Sequence, residues 1–187
     1  MNAAHLEVCA SPEWRKKVNE TILPEALKEV VLGRDVLEIG PGPGFTTDVL
    51  RTLTEQLTAV EVDESLAAQL SARMEGSNVV VVRGDATSLD FTDDRFSAAA
   101  SFHMLHHIEP ADAQDRVFAE LARVLEPGGV LVAADSVWKK ESSDFHQGDT
   151  YLPIAPEDLK ERLANAGFVA IEVRTYEPGW VCTAKAQ

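Results

Sequence analysis

The stretch Val36-Leu-Glu-Ile-Gly-Pro-Gly-Pro-Gly44 constrains this chain more than any other. A short apolar run ends in three glycines separated only by prolines, and a helical pattern starts at once with Phe45. Glycine is needed where a backbone must turn sharply and let a ligand approach it closely. The helix behind such a turn offers unpaired N–H groups and the positive end of its dipole. A buried strand, a glycine turn and a helix in succession are the start of an α/β fold that binds a ligand at its strand tips.

The rest of the chain continues that alternation. Strand patterns fall at 34–40, 57–62, 78–83, 96–102 and 129–135, with helical patterns at 45–54, 64–75 and 111–126. The first of these helices carries Phe45, Val49 and Leu53 on one face, the last Val117, Leu121, Val124 and Leu125 along one stripe, stopped by Pro127-Gly128-Gly129. The unbroken β-branched run 78–83 reads as a strand covered on both faces. A helix from Pro156 to a cap at Gly167 leads into two strands, 169–176 and 180–186, joined by a tight Glu-Pro-Gly turn. Alternating β and α with a closing hairpin predicts one doubly wound, mostly parallel sheet with an antiparallel last strand. Two segments fall outside the pattern. Residues 11–32 read as two short helices, with Ser11 as N-cap, Trp14, Val18 and Ile22 on one face, and Pro24 as a break or restart. Residues 136–154 are polar, aperiodic and long for a connection, as functional loops often are.

At 187 residues the chain fits about one domain. We divide it into an N-terminal helical lid segment, 1–33, and a sheet domain, 34–187. Its 31 acidic against 17 basic residues leave a net charge of −14, spread over both halves. Such a surface repels phosphate backbones and anionic lipid, so neither nucleic acid nor membrane is an expected partner. Cys9 and Cys182 form no metal-binding motif, no secretory leader or spanning run is evident, and a cytoplasmic location is expected.

The other strand tips carry the ligand's signature. Glu61 ends the second strand, 21 residues after Gly40, where a carboxylate can accept from both hydroxyls of a ribose. Asp85 follows the third strand and can accept from an adenine amino group, while Ala86 offers a backbone N–H to the ring. Glu38, Glu61 and Asp85 around an adenosine site would repel phosphates and suit a cation. A dinucleotide fold needs GxGxxG, but Phe45 stands where the third glycine belongs, which disfavours a dehydrogenase. A P-loop needs a lysine after the last glycine, and none follows Gly44.

The ordered series VLEIGPGPG, VEVDESL, GDAT, FSAAASFHMLHHI and LEPGGVLVAADS resembles class I S-adenosylmethionine-dependent methyltransferases over about residues 34–186. The resemblance implies a Rossmann-like seven-stranded sheet of order 3-2-1-4-5-7-6 with strand 7 antiparallel. It also implies that Gly40, Gly42 and Gly44 line the methionine part of the cofactor, Glu61 the ribose, and Asp85 with Ala86 the adenine. Ser101 and Phe102 would face the methyl region. Pro41 and Val62, next to the glycines and Glu61, complete the candidate set with Glu38. The implied reaction is in-line transfer of the methyl group to a small-molecule acceptor, with S-adenosylhomocysteine released. The protein's part is then to align the nucleophile and exclude water.

A general base is useful only if the nucleophile keeps a proton. His103, His107 and His146 are the candidates, the first two beside His106 after the fourth strand and the last in the long loop. His146 with Asp149 is too little for a metal, and Ser101 stands where metal-dependent catechol-type relatives carry a carboxylate, so no metal is expected. The chain lacks the [DNS]PP[YFW] signature of amino-methyltransferases that act on bases or glutamine. Segments 11–32 and 136–154, with Trp14, Trp138, Phe145 and Tyr151, remain to wall an acceptor site, and so small a lid suggests an open pocket or one completed in a homodimer. Two further readings stay open: a non-catalytic module that binds the cofactor or its product, and an aminopropyl transferase, for which FHMLHHI lacks the acidic residues.

Overall fold

The computed structural model describes residues 3–177 and 179–187, and the side chains of all of these except 3, 4 and 145. Pro178 of the closing turn and the side chain of Phe145 lie outside the described residues. The chain forms helices α1 (Ala3–Cys9), α2 (Pro12–Lys17) and α3 (Leu23–Ala26), then β1 (Asp35–Ile39), α4 (Phe45–Leu50), β2 (Gln56–Glu61), α5 (Glu64–Arg73), β3 (Val79–Arg83) and β4 (Phe96–Phe102). It continues through α6 (Ala111–Val124), β5 (Leu125–Ser136), α7 (Lys140–Phe145), α8 (Pro156–Asn165), β6 (Phe168–Tyr176) and β7 (Gly179–Ala186). The seven strands lie in the order β3-β2-β1-β4-β5-β7-β6, and β7 runs antiparallel to both neighbours. The expected sheet is therefore the one found.

Side chains alternate across the central strands and feed two apolar layers. Leu37 and Ile39 of β1, Ala99 of β4, and Leu131 and Ala133 of β5 pack under Val117, Phe118 and Leu121 of α6 and Leu159 and Leu163 of α8. Val36, Ala98, Ala100, Val132 and Ala134 point the other way, against Val18, Ile22, Leu23 and Ala26 from the N-terminal helices. The small residues of β4 let both layers approach the sheet closely. Residues 12–26 thus serve the core as well as covering a strand tip.

Several local expectations differ. β3 is the outer strand and Val80 is 50% exposed, so its apolar run is only partly covered: Val79 and Val81 pack on one face, and on the other Val82 alone reaches the core. α4 is shorter than expected and buries Thr46, Thr47 and Leu50, while Leu53 is exposed, because a buried carboxylate beneath the helix recruits the threonines. The Pro-Gly-Gly breaker lies inside β5: Leu125 already pairs with Phe96, and the chain bows out before Val130 pairs with Ala98. The segment 136–154 contains a helical turn, α7. Before Pro24 the helix widens into a π turn over Val18–Ile22 and resumes at Leu23, since proline has no N–H to donate to the preceding turn. Ser11 caps α2 as expected, accepting from the Trp14 N–H. α1 lies ahead of the segment read as helical. No helix among the described residues is long and apolar enough to cross a membrane.

Candidate active site

A cavity of about 560 Å³ opens at the C-terminal ends of β1, β2, β3 and β4, where ligands bind in open α/β sheets. Of the residues singled out in the sequence, Gly40, Pro41, Gly42, Glu61, Val62, Asp85, Ala86, Phe102, His103 and His107 line it. Leu6 and Cys9 of α1, Trp14 of α2, and Asp149 and Thr150 form further walls. The chain's own N-terminal helices and the end of the 136–154 segment therefore roof the cavity.

The glycine turn is held by backbone geometry and by two distant side chains. Gly40 has a φ of +64°, and its N–H donates to Val60 O at 2.9 Å, which pins the turn to β2. A Cβ at Gly40 would run into the side chain of Met104, which packs over the turn and itself lines the cavity. Glu61 accepts from the Gly42 N–H through Oε2 and from the Asp63 N–H through Oε1, each at 3.0 Å. Each oxygen retains lone-pair capacity toward the cavity, as a ribose diol requires. Arg73 of α5 pairs with Asp48 and donates to Pro43 O at 2.9 Å and Gly44 O at 3.1 Å. The sequence around the turn gives no hint of this clamp, because Arg73 reaches it from the next helix.

Four expected residues stand off the wall. Gly44 caps α4 with a φ of +84° and lies against Arg73 and Leu70. Ser101 is buried in β4, and its Oγ has no partner among the described residues. Glu38 lies under the turn, where one oxygen accepts from Thr46 and the other from Thr47 Oγ1 at 2.6 Å. Burial pushes its carboxyl up to about 7, against the pull of the two threonine hydroxyls. Glu38 is thus a partly charged brace for the turn and not one of three carboxylates facing the ligand. The fourth, His146, does not line the cavity and packs against His5 and His107. Asp85 does line the cavity, but its Oδ1 accepts from the Thr87 N–H and Oγ1, both at 2.8 Å, leaving Oδ2 for a ligand.

The histidines cluster beside this cavity. His103 follows β4 with a φ of +53°, packs edge-on against Trp14 with centroids 5.1 Å apart, and has no partner for Nε2 among the described residues. Burial pushes it down to about 4, so it is neutral near pH 7. The turn after it is fixed by Gln114, whose Nε2 donates to Leu105 O, Ile108 O and Leu152 O. Within that turn, His106 binds the buried Asp135 by its backbone N–H and by Nδ1, the latter at 2.5 Å. Burial opposes the ionisation of Asp135, but His106, together with His103 and the Ser136 N–H, outweighs it and holds the carboxyl at about 2. His107 and His146 meet His5 of α1, with ring centroids 4.7 and 4.4 Å away. Nothing local in the sequence marks His5 or Asp135, and only the fold brings them to the other histidines.

Residues 37–133 match the family model described as a methyltransferase domain. A demethylmenaquinone methyltransferase of Clavibacter sepedonicus is 31% identical over 124 residues, covering 65% of this chain and 46% of that protein. A protein of Mycobacterium tuberculosis described as a probable S-adenosylmethionine-dependent methyltransferase is 30% identical over 147 residues, 74% of this chain and 50% of its own length. The chain thus spans about half the length of these curated relatives. Among solved structures, a protein from Pyrococcus horikoshii OT3 superposes with a TM-score of 0.77 at 20% identity over 95% of this chain and 93% of that one, which shows the shared fold. With the family model spanning more than half its length and the strand order of the class, the chain belongs to the methyltransferase-domain family of class I S-adenosylmethionine-dependent enzymes.

Proposed function

We propose that this chain transfers the methyl group of S-adenosylmethionine to a small-molecule acceptor held beneath its own N-terminal helices, and releases S-adenosylhomocysteine. One observation carries the reading: the strand-tip cavity presents Glu61 and Asp85 and has no Lys or Arg among the described residues that line it. That lining suits a phosphate-free, cationic adenosine cofactor and opposes a dinucleotide or a nucleoside triphosphate. Glu61 holds the ribose, Asp85 and Ala86 the adenine, and Gly40, Pro41 and Gly42 the methionine part, with Val62 and Phe102 packing beside them. The cofactor supplies an activated methyl group, so the chain's task is to orient the acceptor and keep water out.

The acceptor lies toward Trp14, Phe102, Met104 and Ile108, walls that favour a flat or apolar molecule. A relative named for demethylmenaquinone supports that class. Residues 1–33 act as a lid on the 34–187 domain. If the acceptor holds a proton, His103 is the base we assign. It lines the cavity with an Nε2 that has no partner among the described residues, whereas His107 packs among His5, His106 and His146, and His146 does not line the cavity.

The test is a calorimetric panel of S-adenosylmethionine, S-adenosylhomocysteine, NAD and ATP, followed by incubation of a metabolite extract with methyl-labelled cofactor. Binding of the first two alone, with label transferred to a small molecule, is the expected result. NAD binding without S-adenosylmethionine binding would overturn the assignment. Binding with no transfer to any acceptor would favour a cofactor-sensing module.

A further inference from the structure

We infer that His5, His106, His107 and His146 form a binding site for one divalent transition-metal ion of the zinc class, which clips the roof of the cavity to its floor. These are four of the chain's five histidines, and they come from three separate places: α1, the turn after β4, and the end of α7. One ring nitrogen of each lies within 4.8 Å of one from every other. His5, His106 and His146 are buried and His107 is half-buried. Sequence spacing points to no metal here, because His5 stands 101 positions before His106.

The orientation of the rings argues for a ligand rather than for packing alone. Every Nδ1 faces an oxygen: Asp149 Oδ2 at 3.2 Å for His5, Asp135 Oδ1 at 2.5 Å for His106, Thr150 O at 3.2 Å for His107 and Ser142 O at 2.5 Å for His146. A proton held on Nδ1 leaves the lone pair on Nε2, the arrangement in which carboxylates and carbonyls orient metal-bound imidazoles. Two of the four acceptors are carboxylates, so Asp135 and Asp149 supply two negative charges against a divalent cation.

The size of the group also suits. Tetrahedral zinc with nitrogens at about 2.05 Å sets them about 3.4 Å apart, so the rings need to close inward by about 1 Å. Ring centroids already lie between 4.1 Å, for His106 and His107, and 6.5 Å, for His5 and His106. All-imidazole ligation suits zinc, nickel or copper and not the hard cations calcium or magnesium. Four protein ligands leave no open position, which makes the site a clip and not a catalyst. The same segments carry Leu6, Cys9, Asp149 and Thr150 to the cavity, so the ion would hold its roof in place.

The untagged full-length chain, stripped with a chelator, is titrated with Zn²⁺ by calorimetry and with Co²⁺ as a spectroscopic probe. One equivalent of each, the visible bands of four-coordinate Co²⁺, and slower amide exchange over 3–9 and 140–150 with Zn²⁺ are expected. His5→Gln and His146→Gln should each weaken Zn²⁺ binding at least about 100-fold without changing the circular dichroism, since both residues lie outside the sheet. Absence of a one-to-one Zn²⁺ isotherm, a six-coordinate Co²⁺ spectrum, or unaltered affinity in both variants would mean that the imidazoles only pack together. Cofactor binding is measured separately, so any of these outcomes leaves the methyl-transfer reading intact.

Discussion

Glu61 Oε2 accepts the backbone N–H of Gly42 at 3.0 Å, and this bond ties the tip of β2 to the glycine turn after β1. The same carboxylate is the ribose acceptor in the proposed site, so it has two tasks. Glu61→Ala removes both and should weaken S-adenosylmethionine binding by about 10- to 100-fold, the worth of one or two hydrogen bonds to a charged group. Glu61→Gln keeps one oxygen acceptor and should fall between. Calorimetry decides: equal affinity in all three proteins would show that the ribose lies elsewhere.

Glu38 makes stability depend on pH in a direction opposite to that of an ion-paired acid. Its carboxyl sits at about 7 in the folded chain, against 4.5 as its ordinary value. Between those values the folded state keeps a proton that the unfolded state has lost, so stability falls as pH rises and levels off above about 7. The full effect is about 3 kcal/mol. Glu38→Gln is neutral throughout and should remove this slope. Urea unfolding at pH 5 and pH 8 measures it, and an equal slope in both proteins would show that Glu38 is ionised in the fold.

Two glycines of the turn separate backbone strain from crowding. Gly42 has a φ of +53° with nothing within 4 Å of a Cβ position, so Gly42→Ala should cost about 1 kcal/mol from the left-handed backbone alone. Gly40 has a similar φ of +64°, but its Cβ would collide with Met104. Gly40→Ala should therefore cost about 2–4 kcal/mol, with part recovered in the Gly40→Ala/Met104→Ala pair. Equal losses at both glycines, read from urea midpoints, would rule out the Met104 contact.

What the sequence made legible was whatever is local to a strand tip. Gly40, Gly42, Glu61, Asp85 and Phe102 each follow or end an apolar run, and the fold needs only to bring neighbouring strands together for them to meet. What it hid depends on contacts that no periodicity encodes. Arg73 reaches back from α5 to the turn, Thr46 and Thr47 draw Glu38 away from the cavity, and His5 crosses to a segment 144 positions away. β3 misled for another reason. A β-branched run records strand propensity, and on an outer strand that propensity survives where cover is incomplete, as at Val80.

His103 offers the sharpest separation of binding from chemistry. It is the one histidine that lines the cavity with a ring nitrogen lacking any partner among the described residues, and it holds a left-handed backbone of φ +53° at the tip of β4. Strained residues of this kind persist where the surrounding structure fixes them. Its contact with Trp14 is edge-on at 5.1 Å, and glutamine keeps much of that volume. His103→Gln should therefore leave S-adenosylmethionine affinity within about twofold while lowering kcat by about 10²- to 10⁴-fold for an acceptor that loses a proton. For an acceptor with no proton to lose, kcat should change little. Comparing kcat for a protonated acceptor with the binding isotherm of the cofactor checks the assignment. A fall in cofactor affinity that accounts for the whole loss of rate would make His103 a wall of the cavity and not a base.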